Sequence, residues 1–80
     1  MSNENRGQGS PNSTFFHVTF HKDNKKWHAL EVNSAMREEF DSKEEALQQV
    51  KDWIEEWEIK GNAHISIHDE HGKIVKTESL

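Results

Sequence analysis

Six histidines stand at His17, His21, His28, His64, His68 and His71 of an 80-residue chain, and they are the side chains best suited to chemistry. Neutral imidazole ligates metals, and its charge changes between about pH 5 and 8. Spacing limits what these can do. His17 and His21 are four residues apart, as are His64 and His68, and both pairs lie in stretches that alternate apolar and polar residues. Positions four apart on a strand share a face but stand roughly 13 Å apart, whereas a zinc ligand sits about 2.1 Å from its metal. A metal site built from His17, His21, His64 and His68 therefore needs partners from neighbouring strands. The chain has no cysteine, the commonest ligand of structural zinc. The simpler reading is a hydrated sheet face on which histidine is tolerated, so no resident metal or cofactor is expected.

Catalytic patterns give no stronger signal. The sequence holds no Gly-x-Ser-x-Gly elbow, phosphate loop or His-Glu-x-x-His helix. Asp69 and His71 are close, but an aspartate beside Gly72 in a short turn more often bonds its own backbone than serves as an acid or base. The expectation is a non-enzyme.

Composition narrows the class further. Eighty residues make one small domain, which buries only about 60% of the surface its unfolded chain exposes and gains from a staple or a partner. Disulfides are excluded by the missing cysteine. The first residues carry no apolar leader, and no run is long enough to cross a bilayer, so a cytoplasmic protein without membrane contact is expected. A net charge of −5 weighs against nucleic acid, because phosphate binding relies on basic stripes. Lys22, Lys25 and Lys26 cluster at one turn and read as solvated residues.

The elements that would position the histidines follow from periodicity. Met1 to Ser13, polar and holding the only proline, reads as a disordered tail before a single domain over 14–80. Phe16, Val18 and Phe20 alternate with His17, Thr19 and His21, the period of a strand with one buried face. "KDNKK" then turns the chain, with Asp23-Asn24 taken as the left-handed residues, into a return strand from Trp27 to Val32. Which side of that strand meets the core is left open, with Trp27 and Ala29 on one side and His28, Leu30 and Val32 on the other. "MREEF" suggests a short third strand with Met36 and Phe40 near the core.

The clearest periodicity is helical. Ala46, Leu47, Val50, Trp53, Ile54 and Trp57 form one stripe, Ser42 and Glu45 fit a capping box, and the helix should end near Gly61. Glu44, Glu45, Asp52, Glu55 and Glu56 then form a solvated acidic face. Ala63, Ile65 and Ile67 alternate with His64, Ser66 and His68 in another strand, and "DEHG" turns into "KIVKT" with Gly72 at positive φ. The resulting fold class is α+β: an antiparallel sheet of four to five strands with one amphipathic helix on one face, in the order strand, strand, short strand, helix, strand, strand.

His17-Val18, Trp27 after the charged loop, Ala35, "SKEEA" at Ser42 to Ala46 and "IHDEHGKI" at Ile67 to Ile74 occur in that order. This pattern resembles the small bacterial family called domain of unknown function 2188 (DUF2188), over nearly everything after the tail. Ser34 stands where that family usually has glycine, and Trp53 and Trp57 where its helix is richer in alanine. The resemblance implies a bacterial source and a small α+β domain, and it lends no substrate or catalytic residue.

Two functions follow as expectations. One is an interaction or self-association module, a homodimer or a complex with another protein, with His17, Thr19, His64, Ser66 and Trp57 as interface candidates. The other is a metal-binding domain using the histidine face. A nucleic-acid module is a weaker third.

Overall fold

The computed structural model describes residues 13–34 and 36–80. The tail expected over Met1 to Ser13 lies outside these residues up to position 12, as does Ala35. Along the chain the elements are β1 (Thr14–His21), β2 (Lys26–Glu31), β3 (Arg37–Phe40), α1 (Lys43–Glu56), β4 (Ala63–His68) and β5 (Ile74–Ser79). In space they form one sheet in the order β3-β2-β1-β4-β5.

The sheet is mixed, which corrects the antiparallel expectation. β1, β2 and β3 form a meander of antiparallel pairs, and β4 and β5 form a hairpin, but β1 and β4 run parallel. The helix explains this. Fourteen residues of α-helix span roughly 21 Å, enough to carry the chain back to the end of the sheet where β3 began. β4 thus starts in the same sense as β3 and β1, the usual product of a helical crossover.

Alternation along the strands builds the core. Phe16 and Val18 from β1, Ala29 from β2, and Ala63, Ile65 and Ile67 from β4 are buried against Ala46, Val50, Trp53 and Ile54 of α1. Trp27 lies on the same side, tilted against Phe20 with ring centroids 5.1 Å apart, so the helix side of β2 is the Trp27–Ala29 side. Phe40 packs on the core from β3, whereas Met36 is exposed, against expectation. Met36 precedes the strand, and its backbone carbonyl accepts from Glu31 N–H while its side chain faces water. Among the described residues no helix is long and apolar enough to cross a membrane.

Three local details depart from the sequence reading. Ser42 caps the helix by accepting from Glu45 N–H at 3.2 Å, but the Glu45 carboxylate reaches one residue beyond the cap, to Asp41 N–H. The helix stops at Glu56, five residues before Gly61, and Glu58 takes the left-handed conformation with φ 56°. Ile59 N–H then bonds Ile54 C=O and Glu58 N–H bonds Glu55 C=O, which satisfies carbonyls the helix end leaves open. In the first hairpin Lys25, not Asp23 or Asn24, has positive φ. Asn24 instead accepts from Lys26 N–H and donates to Glu39, so its side chain fixes the turn from outside.

Candidate functional site

Five of the six histidines share the sheet face opposite the helix. Pairing sets this directly, because residues opposite one another across a ladder point the same way. His17 stands opposite Leu30 and Ser66, Thr19 opposite His28, His64 opposite Phe15 and Ser79, and His68 opposite Ile74. His17, His21, His64 and His68 are thus placed as the alternation requires, with Thr19 and Ser66 between them. His28 joins them, which the ambiguous pattern of β2 had not decided. His71 sits apart, in the β4–β5 turn.

The histidines meet across strands and not along them. His17 Nδ1 lies 3.0 Å from His68 Nε2. His68 Nδ1 is 3.1 Å from Gly72 C=O, an acceptor only, so that nitrogen carries the proton. Neutral His68 therefore presents a lone pair at Nε2, and His17 Nδ1–H donates to it. A second pair forms from β1 and β2: His21 and His28 stack with ring centroids 3.8 Å apart and planes 17° from parallel. His28 Nε2 donates to the Glu39 carboxylate at 3.2 Å, and Thr19 Oγ1 lies 3.2 Å from His21 Nε2. His64 stacks on Phe15 and contacts Ser79 Oγ.

Burial and neighbouring charge act together on two of these rings. Burial, with His68 beside it, pulls the His17 pKa below the ordinary value of 6.5. Burial also lowers that of His28, and His21 adds to the effect while Glu39 opposes it. His28 is only 8% exposed, and its Nδ1 has no hydrogen-bond partner among the described residues. A proton on that nitrogen would be a buried donor without an acceptor, so this position favours the neutral His28 ring.

As a metal centre the arrangement offers pairs. Among the described residues no three His, Cys, Asp or Glu side chains converge on a common point. His17 and His68 present at most two nitrogens, and His21 and His28 stack face to face, which aims their lone pairs outward in the ring planes.

The remaining sequence candidates are placed as follows. Trp57 lies on the helix side of the sheet, where it stacks on Trp53 at 5.7 Å and Phe16 at 5.9 Å, half-buried beside the core. Asp69 accepts from His71 N–H at 2.8 Å and Lys73 N–H at 3.0 Å, and Gly72 has φ +86°. "DEHGK" is a turn whose aspartate is occupied by its own backbone, and those bonds hold the Asp69 carboxyl below its usual pKa. Lys26 pairs with Asp41, while Lys22 and Lys25 are exposed.

Glu31 was not anticipated. It is 4% exposed at the end of β2, where Asn33 N–H, Ser34 N–H and Ser34 O–H all donate to its carboxylate at 2.5–2.9 Å. Burial alone would raise its pKa, but the Ser34 hydroxyl and the two N–H donors outweigh burial and hold it below the ordinary value. The signal was legible as a carboxylate two and three residues ahead of turn amides, in "EVNS".

Comparison with protein families, curated proteins and solved structures finds no match to this chain.

Proposed function

We propose that this chain is a non-enzymatic self-association module of a bacterial cytoplasm that acts through the uncovered part of its sheet. One observation carries the reading: β5 is exposed along nearly its whole length, and Ile74 and Val75 at its start are 54% and 57% exposed. The helix packs mainly against β1, β2 and β3, and among the described residues no strand lies beyond β5. An outer strand presents unpaired N–H and C=O groups, and adjacent exposed aliphatic side chains add apolar area whose burial favours association. Sedimentation equilibrium of the full chain over a wide concentration range tests this. The expected mass rises above the monomer with concentration, and a single monomer mass at the highest concentration overturns the reading.

A second reading, metal binding, has its own observation in the His17–His68 pair. Two imidazole nitrogens 3.0 Å apart, one of them oriented by Gly72 C=O, are close to the spacing of two ligands on one ion about 2.1 Å from each. Titration with zinc or nickel should shift the resonances of these two rings if they bind. Unmoved resonances at millimolar metal would dispose of it.

A further inference from the structure

We infer that the partner is a second copy of this chain, joined through β5 by antiparallel strand pairing centred on Thr77. The inference rests on the self-association reading and adds the edge, the partner and the register.

Hydrogen bonding first selects the residues that face outward. Leu80 N–H bonds Ala63 C=O, and Ala63 N–H bonds Leu80 C=O, so Leu80 directs both backbone groups toward β4. Antiparallel ladders alternate, and the register pairs Glu78 with Ile65 and Lys76 with Ile67. Glu78 and Lys76 therefore also turn inward. Thr77 and Ser79 turn their N–H and C=O groups to the free edge, while Val75 falls at the irregularity between Ile67 and His68 and has no partner in the β4 register.

Side-chain charge then selects the register. Two copies related by a two-fold axis pair symmetrically about one residue. With Thr77 at the centre, Thr77 faces its own copy and Val75 faces Ser79 of the second copy. The two Thr77 residues then exchange two N–H···O bonds across the axis. Lys76 then stands opposite Glu78 of the second copy, and the reverse holds on the other side of the axis. Within one chain Lys76 Nζ already lies 3.1 Å from Glu78 Oε2, so the dimer sets four charges of alternating sign around the axis. Moving the centre by one residue places Lys76 against Lys76 or Glu78 against Glu78, and like charges directly opposite are destabilising.

The other edge lacks this complementarity. Glu31 N–H bonds Met36 C=O, which makes Arg37 and Glu39 the outward residues of β3. Centring a symmetric pair on Arg37, Glu38 or Glu39 opposes that residue to its own copy, and each is charged. β3 also has only four residues, and Glu39 is engaged by His28 and Asn24. The axis through Thr77 runs perpendicular to the sheet, so the dimer has a ten-stranded sheet with both helices on one face. The irregularity between Ile67 and His68 confines regular pairing to the Thr77 half of β5 and leaves Ile74 and Val75 as an apolar flank.

The chain has no cysteine, so a single introduced thiol reports on the register. Oxidation of Thr77→Cys should give a disulfide-linked dimer at least about tenfold faster than oxidation of Val75→Cys. Opposed hydrogen-bonded residues stand about 5.5 Å apart between Cα atoms, within disulfide range, while the two Val75 positions are offset by roughly 13 Å. Lys76→Glu should weaken association at least about tenfold, and adding Glu78→Lys should restore it. Circular dichroism confirms that each variant is folded. A dimer by sedimentation whose Thr77→Cys form links no faster than Val75→Cys, or whose charge reversal is not rescued, overturns the β5 register and leaves self-association standing. A monomer mass at every concentration overturns both.

Discussion

His17 Nδ1 and His68 Nε2 meet across the parallel pair β1–β4 at 3.0 Å, a contact that exists only while the two facing nitrogens hold one proton between them. Charging both rings sets two N–H groups against each other and opens it.

Stability should therefore fall on mild acidification. The folded-state pKa values of His17 and His28 lie below the ordinary 6.5, so the unfolded chain takes up more protons as pH drops past that value. The contribution is whole above pH 6.5 and is lost on the way down, until the folded rings also titrate. Around His28 the groups involved are His21, Glu39 and Arg37, and around His17 the neighbour is His68. Urea midpoints measured from pH 8 to 5 should decline below about 6.5, and less steeply for His17→Gln. A midpoint constant over that range contradicts the mechanism.

Glu31→Gln should cost about 1–2 kcal/mol, because a charged acceptor of three donors is replaced by an amide that brings two donors of its own. The pKa of Glu31 is depressed, so its contribution is present above the ordinary 4.5 and is lost as pH falls below it. The gap between parent and variant midpoints should accordingly close in acid. Equal midpoints at pH 7 would show that water replaces the carboxylate at no cost.

What was legible in the sequence is what one strand or one helix determines alone. Alternation placed His17, His21, His64 and His68 on one face, and the helical stripe identified Ala46, Val50, Trp53 and Ile54, because burial of each residue is dictated by the period of its own element. Contacts between elements were not legible. The parallel β1–β4 pairing depends on where the crossover lands, and the His17–His68 and His21–His28 contacts depend on that topology and on strand register. His28 stayed ambiguous because Ala29 and Leu30 beside it are both apolar. Gly72 was placed correctly at positive φ, whereas in the first hairpin that conformation falls on Lys25 and not on Asp23 or Asn24, and at the helix end it falls on Glu58, which nothing in its residue type signals.

Gly72→Val should destabilise by more than about 1 kcal/mol. Gly72 has φ +86°, and a Cβ there meets nothing within 4 Å, so the whole penalty is backbone strain and not a clash. Gly72→Asn should therefore cost distinctly less, since asparagine visits the left-handed region more readily than any β-branched residue. If the two variants melt together, the cost has another origin.

Glu58→Gly should stabilise the domain by about 0.5–1 kcal/mol, against the general rule that glycine weakens folded structure. Two unfavourable effects meet at this exposed residue. Its φ of 56° is the left-handed conformation that closes the helix, and there a side chain is penalised while glycine is free. Its carboxylate also follows Glu55 and Glu56 at the negative end of the helix, where the last turn has no basic residue. The closing bonds, Ile59 N–H to Ile54 C=O and Glu58 N–H to Glu55 C=O, are made by backbone alone and survive the change. Glu58→Gln separates the two effects, since it removes the charge and keeps the strain. Thermal midpoints should rank Gly above Gln above Glu at position 58, at roughly 4–8 °C per kcal/mol for a domain of this size. A glycine variant that melts no higher than the glutamine variant would show that the helix end relaxes without strain and that charge alone limits it.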